Sequence, residues 1–219
     1  MKLSQYLNEM AMPRKLDIKK KYYHGTTSAN AAKGIMSKGI SPPDITGVKT
    51  PAPKGFLKPV KGKVYITTDI RYALIYALGG DVIGSDYKMN DWDKNPNGYV
   101  FIIDGKLLKD IQPDEDSIGE MIYNKEPIWL YNLANRNLTD NTMRKVMDGE
   151  YIWWARAGKT LLKKMTDQMK LDLIDAGSHI AHTGNLKPKE VYIFNKAEDN
   201  IKFKNDASNF FKVAKKKKL

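Results

Sequence analysis

Lys21-Tyr22-Tyr23-His24-Gly25-Thr26-Thr27-Ser28 is the stretch on which the fold turns. Its first four residues are rich in aromatic side chains and predict a strand, which Gly25 and the two threonines bring to an end. Ser28 is a good helix N-cap, and the helix it opens carries Ala29, Ala32, Ile35 and Met36 on one face. Gly39 is placed to stop that helix in a left-handed conformation. A strand thus runs through a His-Gly-Thr turn directly into a helix.

The same alternation continues outward. Val64-Tyr65-Ile66-Thr67-Thr68 is β-branched and aromatic and predicts a second strand, after which Asp69 can cap a helix bearing Tyr72, Ala73, Tyr76 and Ala77. Tyr99-Val100-Phe101-Ile102-Ile103 is almost wholly apolar, which predicts a strand covered on both faces and hence central. Residues 112–175 are helical by period, with Asp116-Ser117-Ile118-Gly119-Glu120 opening one element and Gly158 to Ile174 forming one amphipathic helix that Gly177 stops. Two strands, about His179 to His182 and Val191-Tyr192-Ile193-Phe194, close an α+β pattern. Between residues 42 and 63 proline and glycine are dense, which predicts a long loop of the kind that borders binding sites.

The chain has 219 residues, 42% of them hydrophobic, enough for a true core: a chain of this size removes roughly 70% of its unfolded surface from water. With no cysteine, disulfide frameworks, thiolate metal sites and cysteine nucleophiles are excluded. No run approaches the roughly 18 apolar residues of a membrane span, and the N-terminus lacks a signal-peptide core. The 37 Lys and Arg against 25 Asp and Glu leave a net charge of +12, which favours phosphate polymers, acidic proteins or anionic cofactors as partners without choosing among them. Part of the charge is local, in Lys15, Lys19, Lys20 and Lys21 and in the terminal run Lys215 to Lys218, which reads as a solvated tail. The organisation expected is an N-terminal arm over 1–20, one domain over 21–205 and a basic tail over 206–219.

Three separated elements carry chemistry: His24-Gly25-Thr26 ending the first strand, Val64-Tyr65-Ile66 leading to a helix with Tyr76, and Glu190 opening the strand Val191-Tyr192-Ile193-Phe194. Together and in this order they resemble the ADP-ribosyltransferase fold, in particular its His-Tyr-Glu class, which includes diphtheria toxin and the poly(ADP-ribose) polymerases. The resemblance spans roughly residues 21–203 and is to a phage-encoded member. It implies a split β-sheet core with flanking helices, and transfer of ADP-ribose from NAD to a macromolecule with release of nicotinamide.

On that resemblance His24, Tyr76 and Glu190 are the catalytic set, and His24, Gly25, Thr26, Tyr65, Thr67 and Tyr76 bind NAD. Gly25 main chain would pair with the carboxamide, His24 would bond the adenosine ribose, and Tyr65 and Tyr76 would sandwich the nicotinamide ring. Glu190 would hold the nicotinamide ribose, stabilise its developing positive charge and orient the nucleophile. Ala73 stands where the polymerases carry a serine that contacts the carboxamide, so that contact passes to Thr67. Pro188 stands where arginine-specific transferases carry a second acid, which disfavours arginine as acceptor. In a second register the glutamate position falls near His179, which implies a divergent or inactive member.

The implied partners are NAD, as substrate, and an acceptor protein or nucleic acid; no metal and no membrane are expected, and the chain is expected to be a monomer in the host-cell cytoplasm. Met1 to Met12 resembles the short leader some large tailed phages place on head-packaged proteins, Leu7-Asn8-Glu9 matching their hydrophobic-x-Glu cleavage pattern. Two alternatives remain open: an NAD-dependent RNA 2′-phosphotransferase relative, and a non-catalytic basic nucleic-acid-binding protein packaged in a phage head. Taken singly, His24, Tyr65, Tyr76 and Glu190 also read as ordinary strand-end, core and surface residues. Asp114-Glu115-Asp116 reads as helix-opening acids rather than a metal cluster, and His179 and His182, three apart on a strand, would face opposite ways. Trp153 and Trp154 with Arg156 read as core or as a base-stacking surface. There is no Walker loop and no Gly-x-Gly-x-x-Gly, so an NAD site here is not of Rossmann type.

Overall fold

The computed structural model describes residues 21–42, 45, 60–78, 95–108, 111–177, 179–196, 198–199 and 207–219. The expected N-terminal arm and leader and most of the 42–63 loop lie outside the described residues. The chain groups into two compact units, one containing Gln112–Ala181 and one built from the strand-forming segments on either side of it.

The strand unit holds a four-stranded sheet of order β1-β3-β6-β7, made of β1 Lys21–Thr26, β3 Asn97–Asp104, β6 Glu190–Asn195 and β7 Lys215–Lys218. All three pairings are antiparallel. β3 is interior and six of its eight residues are buried, as its unbroken apolar run predicts. A second sheet has the order β2-β5-β4, from β2 Lys63–Ile66, β5 Ile180–Thr183 and β4 Ile111–Pro113. The α+β class follows. Helix α1, Ala29–Lys38, starts where Ser28 Oγ accepts the Ala31 N–H at 3.2 Å, and ends at Gly39, φ +88°. Helix α2, Ile70–Leu78, follows β2, with the Asp69 carboxylate accepting the Arg71 N–H at 2.9 Å.

Register and alternation divide the four-stranded sheet into two faces. Tyr23 stands opposite Ile102 and Ile102 opposite Glu190, so these three share a face with Gly25, Val100, Tyr192 and Phe194. That face packs against Ala73, Leu74, Ala77 and Leu78 of α2 and against Phe210. His24, Phe101 and Val191 lie on the other face with Tyr22 and Ile103. The terminal lysines differ from the expected tail: they form β7, paired with β6, every side chain exposed. A lysine-bearing outer strand satisfies backbone groups inward while its charges resist a further strand.

The helical unit contains α3 Glu115–Tyr123, α4 Ile128–Asn137, α5 Asp140–Met147, α6 Tyr151–Leu162 and α7 Asp167–Asp175. The single helix expected from Gly158 to Ile174 is therefore two, because Thr166 Oγ1 accepts the Met169 N–H at 3.2 Å and starts a new helix. Its core is Ile118, Ile122, Leu130, Ala134, Val146, Ala157, Leu161 and Leu173. Helices α3 and α6 meet at glycines: a Cβ on Gly119 would sit 2.2 Å from Trp154 Cα, and one on Gly158 2.1 Å from the Glu115 carbonyl oxygen. Among the described residues no helix is long and apolar enough to cross a membrane.

Candidate functional site

β1 joins β2 at one bridge: the Tyr23 N–H donates to Thr67 O at 2.8 Å and the Thr67 N–H returns to Tyr23 O at 3.0 Å. Because donor and acceptor directions alternate along a strand, Gly25 also turns its N–H and C=O away from β3 and toward the β2 side. No bridge forms there. The Tyr65 carbonyl, which a continuing ladder would offer to Gly25, instead accepts the His24 Nδ1–H at 3.0 Å. The two strands thus part at Gly25. Its N–H and C=O have no hydrogen-bond partner among the described residues, and the residue is partly open to solvent.

Glycine is required here for a packing reason too. A Cβ on Gly25 would lie 1.8 Å from Ala73 O and 3.0 Å from Ala77 N, so the turn of α2 that carries Tyr76 lies directly against it. Tyr76 itself points outward, 61% exposed. Tyr65 is partly buried, and its hydroxyl accepts the Val60 N–H at 3.0 Å. Thr67 is buried, its hydroxyl accepting the Asp69 N–H at 3.0 Å, and Thr26 Oγ1 accepts the Ser28 N–H at 3.2 Å.

Burial pushes the His24 imidazole below its usual range, the bond to Tyr65 opposing that only in part. The ring is therefore neutral near pH 7, with its hydrogen on Nδ1 and a lone pair on Nε2. Across the neighbouring turn, the buried Lys196 donates from Nζ to Thr27 Oγ1 at 2.6 Å, and Asn95 Nδ2 donates to Thr27 O at 3.0 Å. Sequence reasoning missed both. Lys196 is one of 37 basic residues, and only its position just after β6, against the His-Gly-Thr-Thr turn, distinguishes it.

Glu190 does not join His24. It stands two strands from Tyr23, about 10 Å of sheet, on the face opposite His24, and its Oε1 accepts from Lys216 Nζ at 2.9 Å. In the second register, β5 rather than β6 neighbours β2, and this strand carries His182, buried, in place of a carboxylate. His179 binds through its backbone, donating its N–H to Ser117 Oγ at 3.1 Å and accepting the Asp114 N–H at 2.7 Å. Among the described residues no group of three metal-ligating side chains is assembled. At the start of α3, burial and mutual repulsion raise Asp114 well above the usual carboxylate range and Asp116 to about 6.

The site around Gly25 offers one backbone donor and one acceptor at a strand parting, an imidazole acceptor, an exposed phenol ring and a nearby ammonium. A scan against protein-family models and searches of curated proteins and of solved structures each give no match.

Proposed function

We propose that this chain binds NAD in the gap beside Gly25 and transfers its ADP-ribose to a host protein or nucleic acid, releasing nicotinamide. One observation carries the reading: the Gly25 N–H and C=O, lacking a partner among the described residues in a residue partly open to solvent, are the complement of a carboxamide, which has one C=O and one NH₂. Tyr65 and Tyr76 supply ring faces for the nicotinamide. His24 Nε2 accepts from a ribose hydroxyl, and Lys196 sets a cation near the pyrophosphate. In the transfer, the bond from the nicotinamide ring nitrogen to the ribose breaks and its electron pair stays on the ring. The acceptor nucleophile bonds to the same ribose carbon and releases its proton to solvent.

A second reading, NAD held without transfer, is favoured by the Glu190 carboxylate, which is committed to Lys216 on the far face. Calorimetry with NAD and a labelled-NAD assay on a bacterial lysate, split into nuclease-treated and protease-treated halves, separate the two. We expect saturable NAD binding, weakened about 5- to 10-fold in Tyr76→Ala, the loss of one aromatic stack of about 1 kcal/mol. We also expect label lost from only one half, and retained transfer in Glu190→Ala. Binding without label transfer establishes the second reading; no binding of NAD refutes both.

A further inference from the structure

On the helical unit, α4, the turn into α5 and α6 enclose an open groove of about 430 Å³ lined by Asn137, Thr139, Thr142, Trp153, Arg156, Lys159, Thr160 and Lys163 among others. We propose that this groove is a binding site for single-stranded nucleic acid, held by its phosphates and by one base stacked on Arg156. The inference is independent of the NAD reading.

Charge segregation is the first argument. Gln112–Ala181 holds nine Lys and Arg against eleven Asp and Glu, so this segment does not share the basic excess of the whole chain. Within it Arg156, Lys159 and Lys163 fall at positions i, i+3 and i+7 of one helical face, all exposed, and no carboxylate lines the groove. Among the described residues none of the three is in an ion pair. Concentrating three like charges costs self-repulsion that a bound polyanion would relieve.

Geometry is the second. Seven residues separate the first cation from the last, which caps the helix; that is about 10 Å at 1.5 Å per residue, the rise of about three stacked nucleotides of one strand. The Arg156 guanidinium carbon stands over the Trp153 ring, 4.7 Å from its centre, so the cation is held beside an aromatic face. An arginine guanidinium can stack an unpaired base, a surface a duplex does not present. The Thr139 and Thr142 hydroxyls share one hydrogen bond at 2.9 Å, so one of their two hydrogens remains for a phosphate oxygen. Trp154, by contrast, is structural: its Nε1–H donates to Val146 O at 3.1 Å and its ring packs on Tyr123 and Tyr151.

The test is fluorescence anisotropy with labelled 12-nucleotide DNA and RNA single strands, the matching duplex and poly-glutamate, without NAD. The triple variant Arg156→Gln, Lys159→Gln, Lys163→Gln should bind the single strands at least 10-fold more weakly. Its log–log salt slope should be shallower by about 2, as expected when about three phosphate contacts at ~0.7 each are lost. A control triple, Lys215→Gln, Lys217→Gln, Lys218→Gln, removes the same charge elsewhere and should change affinity less than 3-fold. Equal loss in both triples, no loss in the groove triple with folding intact by circular dichroism, or duplex or poly-glutamate bound as tightly as single strands would each overturn the proposal.

Discussion

Replacing Gly158 by alanine tests the close approach of helices α3 and α6. The new Cβ would stand 2.1 Å from the Glu115 carbonyl oxygen, 2.8 Å from its carbonyl carbon and 2.9 Å from its Cα, all backbone, so no rotamer change relieves it. Helices α3 and α6 must separate by about 1 Å, and overpacking of this kind costs up to about 3 kcal/mol. Alanine's better helix propensity returns about 1 kcal/mol, which leaves a net loss of ~2 kcal/mol. At 2–4 °C per kcal/mol for a chain of this size, Tm should fall by about 4–8 °C. Gly34→Ala in α1 is the matched control: a Cβ there meets nothing within 4 Å. It should raise stability by ~0.5–1 kcal/mol. Tryptophan fluorescence suits the first variant, because Trp129, Trp153 and Trp154, three of the four tryptophans, lie in the helical unit. Circular dichroism suits the second. If Gly158→Ala melted at or above the parent temperature, the close approach of α3 and α6 would be refuted.

Ser28→Ala removes the cap on the Ala31 N–H and should cost about 1 kcal/mol, read as a Tm lower by about 2–4 °C. Asp116, raised to about 6, is protonated in the folded chain at a pH where the unfolded chain is still ionised. Its contribution to stability therefore grows as pH falls from about 6 toward 4. Asp116→Asn should flatten that window and stabilise the helical unit at pH 7.5 by ~1 kcal/mol, after discounting for the part of the carboxyl that water reaches; denaturant midpoints at pH 4.5 and 7.5 check it. His24 has the opposite sign, since burial lowers it and the unfolded chain takes up the proton first. Stability of the strand unit should fall as pH drops below about 6.5, and His24→Asn, which keeps a donor for Tyr65 O, should remove that fall. A midpoint independent of pH in the wild-type strand unit would contradict this.

Much of the strand unit was legible beforehand because its signals are local. The Ser28 cap, the Gly39 stop and the apolar run of β3 each depend on residues within a few positions. The split at Thr166 of the helix expected from Gly158 to Ile174 was legible by the same rule and was overridden by the longer apolar period around it. The placement of Glu190 was not. Its facing depends on the pairing register across β1, β3 and β6, and one residue of slip would move it to the other side of the sheet. The lysines of β7 carry no strand signal of their own; pairing with β6 supplies it.

By itself the sequence determined the α+β class, the helix caps, the central strand and a His-Gly-Thr turn at the end of β1, since these follow from propensity, capping and period. Only the tertiary structure decided that the strands part at Gly25, that His24 and Glu190 lie on opposite faces, that Lys196 meets Thr27, and that three cations line one groove. Each of these depends on the relative direction of elements distant in sequence, which long-range pairing and packing set.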